Sequence, residues 1–166
     1  MRKIQSMMLI LGAMAAGIAD SATTTTTFAV TSQVQATCSA TATTLAFPAY
    51  TPGAGPVTGT NTISVKCTKN SPYTISLNGG ATAGGTVAQR LMAAGANTLQ
   101  YNLYTTLAHT IIFGDGSGSS QTVAGTGSGV ATANSVTVFG QLPDNATNQL
   151  AVPANYTDTI TVTVTY

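Results

Sequence analysis

The residues that could do chemistry in this chain are few. It contains two cysteines, Cys38 and Cys67, and a single histidine, His109. The carboxylates that follow residue 22 are Asp115, Asp144 and Asp158. Neither a G-x-S-x-G elbow nor an S-x-x-K motif occurs. His109 falls in a predicted hairpin turn, where a solvated side chain is expected rather than a general base. We therefore predict no catalytic residue, no metal site and no cofactor, and we do not expect an enzyme.

The two cysteines predict a structural crosslink. An even cysteine count in an exported chain is typical of a disulfide. The alternative, a two-thiolate metal site, needs histidine or acidic partners close by, and Cys38 and Cys67 have none near in sequence. The bridge closes a loop of about 29 residues, which contributes about 3–4 kcal/mol in the chain-entropy model. Because Cys67 alternates with Ile63 and Val65, we expect it on a buried face, with the bridge crossing between two sheets.

The first residues have the pattern of a secretory signal. Two basic residues precede an apolar stretch of about ten residues, 7–16, and small residues follow. That stretch is too short to cross a bilayer as a helix. We predict a signal peptide over residues 1–22, with cleavage after Ala19 or Ala22. A membrane anchor left in place is the alternative.

The remaining chain is nearly neutral. Its length, about 145 residues, suits one domain with its own core. Beyond residue 22, Lys66, Lys69 and Arg90 balance the three carboxylates, and the sequence contains no Glu. Such a chain offers no footprint for nucleic acid or anionic lipid, and it does not repel its own copies. Because Thr, Ser, Ala and Gly dominate, we predict an all-β protein.

Residues 156–166 (YTDTITVTVTY) carry the strongest strand signal. Ile160, Val162 and Val164 alternate with threonines, a period of two that gives one apolar face and one hydroxyl-bearing face. An apolar strand needs a neighbour along each edge, or its N–H and C=O groups stay open to any passing strand. Because no further strand follows in the sequence, we expect that another copy of the chain supplies one neighbour.

Residues 23–34 form a second, unusual strand-prone stretch, which we call the arm. Five threonines, residues 23–27, precede apolar residues at alternate positions, and the arm contains no charge, Pro or Gly. Threonine favours extended backbone because its branched Cβ restricts χ1 and disfavours helix. The arm is either the first strand of the domain or a strand meant for a different molecule.

Shorter strands fill the rest of the chain. They are predicted at residues 62–68, 73–77, 99–104, 110–113 and 135–142. The last of these either keeps its register or forms a bulge at Gly140. Residues 87–92 are ambiguous, while 114–129 and 143–153 are predicted loops because turn residues dominate them. About seven short strands joined by turns are typical of an immunoglobulin-like sandwich.

Five segments, in their order and spacing, resemble the spore coat protein U domain, which is also the subunit type of archaic chaperone–usher pili. They are residues 73–79 (YTISLNG), 99–104 (LQYNLY), 112–116 (IFGDG), 138–143 (VFGQLP) and 156–166. The leader, the threonine run and the stretch VQATCS around Cys38 fit as well. The resemblance covers essentially the whole chain after the leader.

This resemblance implies an incomplete immunoglobulin-like β-sandwich that lacks its last strand and is completed by donor-strand exchange. A periplasmic pilus chaperone lends a strand, and at the outer-membrane usher the arm of the next subunit replaces it. The product is a homopolymer of this chain, joined to tip or adaptor pilin subunits and exported through the periplasm to the cell surface. Such extracellular pili serve attachment and biofilm formation. The alternative is a monomeric secreted coat or surface-binding sandwich whose own arm fills its groove.

The functional residues follow from that scheme. The domain is expected over residues 35–166, preceded by the arm, residues 23–34. The donor side chains are predicted to be Thr26, Phe28, Val30, Ser32 and Val34. The acceptor groove is predicted to be lined by Val138, Phe139, Ile160, Val162 and Val164.

Overall fold

The computed structural model describes residues 20–166. The chain divides into two units, Met1–Gln33 and Val34–Tyr166. In the first unit, residues 20–33 form neither helix nor strand, and their side chains are exposed. The predicted signal peptide lies almost wholly outside the described residues. Its cleavage site and the predicted boundaries of arm and domain therefore stay predictions.

The second unit contains eight strands. They are β1 (Cys38–Ala42), β2 (Val57–Cys67), β3 (Pro72–Leu77), β4 (Arg90–Ala94), β5 (Asn97–Tyr104), β6 (Val123–Thr126), β7 (Asn134–Leu142) and β8 (Val162–Thr165). A five-stranded sheet has the order β1-β2-β7-β5-β4, and a three-stranded sheet has the order β6-β3-β8. Every pairing between these strands is antiparallel. The predicted all-β, immunoglobulin-like sandwich is confirmed.

The core forms where the inward faces of the two sheets meet. On β2, β3 and β7, buried apolar residues alternate with more exposed ones, as the period of two predicts. The buried residues include Ile63, Val65 and Cys67 of β2, Tyr73, Ile75 and Leu77 of β3, Leu99, Tyr101 and Leu103 of β5, and Val138 and Leu142 of β7. Burial of each large apolar side chain contributes about 1.5–3 kcal/mol. Within residues 20–166, no helix is long and apolar enough to cross a membrane.

Arg90 is a buried cation at the start of β4, in a segment whose structure the sequence left ambiguous. Its side chain is fully buried. The guanidinium donates to the carbonyl oxygens of Asn78 (2.8 and 3.0 Å) and Phe113 (2.9 Å) and to Oδ1 of Asn102 (2.6 Å). Burial lowers the pKa of Arg90 because the charged form is desolvated. The hydrogen bonds compensate for that loss of solvent and fasten the end of β3 to β4 and β5.

The disulfide between Cys38 and Cys67 is confirmed, but its predicted course is wrong. The two cysteines lie directly opposite each other on β1 and β2, which are neighbours in the same sheet. The bridge therefore joins adjacent strands and does not cross between sheets. Its Cα–Cα distance is 4.1 Å, because the pair occupies a non-hydrogen-bonded site of the ladder, where opposite residues lie closest. The prediction that Cys67 is buried is confirmed.

A glycine pair makes room for the chain after β1. Gly59 of β2 lies opposite Gly140 of β7, so the ladder runs through Gly140 without the bulge that we considered. A Cβ at Gly140 would come within 2.9 Å of the Leu45 side chain, and one at Gly59 within 2.8 Å of the Ala46 carbonyl oxygen. Two bare backbone positions thus let residues 45–47 lie flat against the sheet.

Several segments differ from their predicted extents. The predicted loop 114–129 contains β6, whose ladder with β3 outweighs the weak strand propensity of its glycine. The predicted loop 143–153 contains a 3-10 turn, Asn148–Leu150. The predicted strand 62–68 begins earlier, at Val57. Residues 110–113 form isolated bridges in place of a strand, an antiparallel one between Ile112 and Tyr104 of β5 and a parallel one between Phe113 and Gln121.

The C-terminal strand is shorter than predicted because it changes partners. Within residues 156–166, only Val162–Thr165 form a strand, which pairs with β3. Earlier in the segment, Thr157 bridges to Ala93 of β4, in the other sheet. The intervening residues cross between the sheets, and Thr161 rejoins the β3 side through its hydrogen bonds with Asn78. The predicted side-chain alternation persists over the whole stretch, since the even-numbered residues from Tyr156 to Val164 are partly buried and the threonines between them are exposed.

Candidate strand-acceptor groove

One edge of β8 carries unpaired backbone groups. The Asn78 amide donates to the Thr161 carbonyl (3.2 Å), and the Thr161 amide donates to Oδ1 of Asn78 (2.9 Å). Since hydrogen-bonded pairs alternate in an antiparallel ladder, the backbone groups of Ile160, Val162 and Val164 point to the opposite edge. Among the described residues, no strand pairs with that edge. It is a free template for one more strand.

The edge of β1 is open in the same way, and its inner face is uncovered. The Thr68 amide donates to the Thr37 carbonyl and the Thr43 amide to the Thr62 carbonyl. The same alternation therefore directs the backbone groups of residues 38, 40 and 42 away from β2. Ala40 and Ala42 lie opposite Val65 and Ile63 and share their face, because directly opposite residues do so. The β2 residues are buried, whereas both alanines are exposed.

A cavity of about 390 Å³ lies between these two segments. Its lining includes residues 42–45 and Phe47 on one side and residues 156–160 with Val162 on the other, and Ile63, Leu77, Leu103 and Val138 from the core also contribute. Buried side chains of the core therefore form the floor of this cavity. An apolar slot beside an unpaired strand edge is a site for strand addition.

Among residues 20–166, Asp158 is the only charged one in the cavity wall. Its Oδ1 accepts hydrogen bonds from the Ala81 amide (2.9 Å) and from the amide and hydroxyl of Thr82 (both 3.0 Å), and its Oδ2 accepts one from the Tyr101 hydroxyl (2.6 Å). Burial, with the hydrogen bond to Asp158 as the next cause, raises the pKa of Tyr101. The carboxylate thus fixes the segment before β8 to the loop after β3.

The five predicted acceptor residues do not all face the cavity. Val138, Ile160 and Val162 line it, and Val164 packs against the core on the same face of β8. Phe139 does not belong with them. It follows Val138 directly on β7 and therefore lies on the opposite face of that strand, so assigning it to the groove was wrong.

Other groove residues were missed by sequence reasoning. Leu45 and Phe47 line the groove because the glycine pair admits residues 45–47 against the sheet, which no sequence pattern indicated. Tyr101 and Leu103 lie in a predicted strand, but only the order of strands in the sheet brings them to the groove. The sequence did indicate Asp158 as a groove residue, because the side-chain alternation of residues 156–164 places it on the inward face.

The predicted donor side chains are solvent-exposed. Phe28, Val30 and Val34 are 82–86% exposed, and Thr26 and Ser32 are exposed as well. Large apolar side chains in such a row mark a surface that binds something else. Their donor role stays a prediction.

A second carboxylate, Asp144, organises the loop before β2. It accepts hydrogen bonds from the Tyr50 hydroxyl (2.6 Å) and from the amides of Gly53 (3.0 Å) and Gly55 (2.8 Å). The bond from Tyr50, followed by those amides, lowers the pKa of Asp144 to about 2. Desolvation together with the same bond raises the pKa of Tyr50 to about 12. These groups hold a loop in place and lie outside the groove.

Comparison with known proteins shows the family. The sequence model of the Spore Coat Protein U domain matches residues 24–163. The chain therefore belongs to the Spore Coat Protein U domain family. No curated protein matches it.

A solved structure shares the fold. It is the crystal structure of the CsuC-CsuE chaperone-tip adhesion subunit pre-assembly complex from archaic chaperone-usher Csu pili of Acinetobacter baumannii. The TM-score is 0.56 at 22% identity, over 80% of this chain and 40% of that chain. At that identity the likeness concerns the fold, and the present chain spans less than half of the length of the one it resembles.

Proposed function

We propose that this chain is a structural subunit of a chaperone–usher pilus, which polymerises when the arm of one copy completes the sandwich of the next. The observation that carries the proposal is the open edge of β8 above an apolar cavity that reaches the core. The family and the shared fold support the subunit class. The exposed, alternating arm supplies a strand of suitable length and pattern.

The energetics favour a durable link between subunits. Each large apolar donor side chain that enters the groove contributes about 1.5–3 kcal/mol by burial. Each backbone hydrogen bond to the open edge of β8 adds about 0.5–1.5 kcal/mol. Together these terms stabilise a slowly dissociating joint, from which the cost of ordering the arm is subtracted.

The same groove needs protection before assembly. A periplasmic chaperone that lends a strand shields it, and an outer-membrane usher exchanges that strand for the arm of the next subunit. The completed fibre, carrying tip or adaptor subunits, extends from the cell surface and serves attachment and biofilm formation. The near-neutral surface suits the close approach of identical copies.

Deletion of residues 23–33 tests the proposal. The shortened chain keeps its groove, so we expect an unchanged yield of its complex with the chaperone on size-exclusion chromatography and no fibres in electron micrographs. The double variant Ala29→Ser/Thr31→Ser is the matched control and should still form fibres, because it changes only the other face of the arm. Fibres of the deletion variant would contradict the proposal. A stable monomer of the full chain without its chaperone would favour the self-filled sandwich.

A further inference from the structure

The arm and the segment that contains β8 carry matching patterns. On one face of the arm, Ser32 interrupts the apolar series of Phe28, Val30 and Val34. On the inward face of residues 156–164, one polar residue, Asp158, interrupts an apolar series in the same way. The other members of that series are Tyr156, Ile160, Val162 and Val164. When the two polar positions are aligned, they define one register between the arm and residues 156–164.

Building on the proposed function, we propose that the arm of a second copy adds to β8 antiparallel and in one register, with Phe28 opposite Val162. Directly opposite residues of an antiparallel pair share a face. The register therefore also sets Val30 against Ile160 and Ser32 against Asp158. Toward the two ends, Val34 meets Tyr156, and Thr26 meets Val164.

The Asp158 carboxylate can accept one more hydrogen bond, from the Ser32 hydroxyl that this register places beside it. Its Oδ1 already accepts three hydrogen bonds, whereas Oδ2 accepts only the one from Tyr101. A carboxylate oxygen accepts about two hydrogen bonds along its lone pairs. Oδ2 is thus free to accept a second one, from the Ser32 hydroxyl. A hydroxyl there satisfies a carboxylate that the incoming strand would otherwise desolvate.

Neighbouring antiparallel registers fit worse. The backbone groups of Ile160, Val162 and Val164 point to the open edge, so shifts by two residues are the alternatives that keep both the ladder and the inward face. One such shift sets Val30 against Asp158, and the other sets Val34 there. Each of them covers the carboxylate with an apolar side chain and places Ser32 on an apolar neighbour.

A parallel strand also fits poorly. If Ser32 lies beside Asp158 in a parallel arrangement, Val30 falls beside Tyr156 and Phe28 lies near residue 154. The largest apolar donor then lies beyond the inward series, and Val162 and Val164 are left to the small Ala36 and to Cys38, which the disulfide holds in β1. The antiparallel arrangement brings all three apolar donors over the apolar acceptors.

The arm that fits in this register comes from another copy. β1 approaches β8, and residues 42–47 share the cavity with residues 156–162. Thr157 bridges antiparallel to β4, and the successive antiparallel pairings from β4 to β1 make β4 and β1 run the same way, so residues 156–160 run opposite to β1. An arm antiparallel to this segment therefore runs in the same direction as β1. Val34 would then lie beside Tyr156, whereas Cys38 starts β1 near the other end. The four residue steps from Val34 to Cys38 span at most about 14 Å. Within one chain they would have to run back along the whole of β1, about 13 Å, and also reverse direction, and no length remains for the reversal.

Engineered disulfides test the register. Ala29 and Thr161 would occupy a non-hydrogen-bonded pair, the kind of site that the native bridge occupies at a Cα–Cα distance of 4.1 Å. We expect fibres of the double variant Ala29→Cys/Thr161→Cys, mildly oxidised, to give a ladder of covalent multimers on a non-reducing gel. Matched variants that pair Ala29→Cys with Thr159→Cys or Thr163→Cys should crosslink at least about tenfold less, because diagonal positions lie about 7–8 Å apart. The single-cysteine variants control for exchange with the native disulfide.

Each outcome decides the inference. Preferential crosslinking through position 159 or 163 would overturn the register, and intact fibres without any crosslink would overturn the antiparallel pairing. A crosslinked monomer would overturn the second copy as the source of the arm. If the unmodified chain forms no fibres at all, the proposed function itself fails, and this inference fails with it.

A rescue experiment without added cysteines gives a second test. Ser32→Asp places a carboxylate against Asp158, so the fibre yield should fall at least about tenfold. Adding Asp158→Asn should restore most of that loss, whereas it should not restore the loss caused by Val30→Asp. Rescue of both variants, or of neither, would contradict the pairing of positions 32 and 158.

Discussion

The two sides of the sandwich are made from the same kinds of residue but differ in how completely they are covered. Where β2 and β7 pair, the inward residues Ile63, Val65 and Val138 are 0–2% exposed. On the side of β1 and β8, the inward residues Ala40, Ile160 and Val162 remain partly or fully exposed. The alternation of apolar and polar residues is equally regular on both sides. The comparison teaches that the open side lacks a covering strand rather than a suitable sequence.

The first prediction concerns the covered side, where the largest loss of stability is expected. Arg90→Ala would leave the carbonyls of Asn78 and Phe113 without a donor, and Oδ1 of Asn102 would keep only its bond from the Leu103 amide. We expect a loss on the order of 5 kcal/mol, since each buried unsatisfied group costs about 1–3 kcal/mol. Denaturant unfolding of the fibre or the chaperone complex measures it. Lys66→Ala, at an exposed position, should change stability by less than about 0.5 kcal/mol. An Arg90→Ala loss as small as this control would contradict the role of Arg90.

The second prediction compares the two sides within a single cross-strand pair. Ile75 of β3 lies opposite Val164 of β8, and Ile75 is 0% exposed whereas Val164 is only partly buried. Ile75→Ala should cost about 4 kcal/mol wherever it is measured, because it opens a cavity in a closed core. Val164→Ala should cost about 1 kcal/mol or less in the chaperone-free chain, but it should clearly speed fibre dissociation. Equal losses for the two variants in the chaperone-free chain would contradict the distinction between a closed and an open side.

The third prediction concerns the link between the two sides. The disulfide ties β1, at the open side, to β2. Replacing both cysteines by alanine should lower stability by about 3 kcal/mol and should raise amide exchange mainly in residues 38–42. Mass spectrometry after hydrogen–deuterium exchange measures both β1 and, as the internal control, β7. Uniform loss of protection across the domain would show that the bridge supports the whole fold and not the groove.

The fourth and smallest prediction concerns a loop outside both sides. The pKa of Asp144 is lowered to about 2, so its hydrogen bonds contribute stability above the unfolded-state pKa of about 3.9, and this contribution is lost as the pH falls through 2. The pKa of Tyr50 is raised to about 12, so its contribution is complete below pH of about 10 and is lost as the pH rises through 12. Melting temperatures of Asp144→Asn and Tyr50→Phe against pH measure both limbs. Asp144→Asn should abolish the loss of stability at acid pH and weaken the loss at alkaline pH, and Tyr50→Phe should do the reverse, because one hydrogen bond contributes to both pKa shifts. Losses of stability that persist unchanged in both variants would contradict these assignments.

The sequence predicted the parts of the fold that depend on local patterns. The period of two located the inward residues of β2 and the inward face of residues 156–164. The cysteine count in an exported chain predicted the disulfide. These features follow from side-chain alternation and chain chemistry, which need no knowledge of which strands are neighbours.

The sequence did not predict which distant segments become neighbours in the fold. The order of strands placed the two cysteines on adjacent strands and turned Phe139 away from the groove. β6 forms because β3 offers it a ladder, and Arg90 is buried because three distant polar groups converge on it. The groove is likewise a product of topology, since its two lips, residues 42–47 and 156–162, are more than a hundred positions apart in sequence.

Amide hydrogen exchange of residues 159–166 in assembled fibres tests the central claim most directly. Within the described chain, the backbone groups of Ile160, Val162 and Val164 have no partner strand on their open edge. If the arm of another copy pairs there, this segment should exchange about as slowly in the fibre as β7, which has a strand on each side. Rapid exchange of residues 159–166 in intact fibres would show that no strand is added at β8 and would contradict the account.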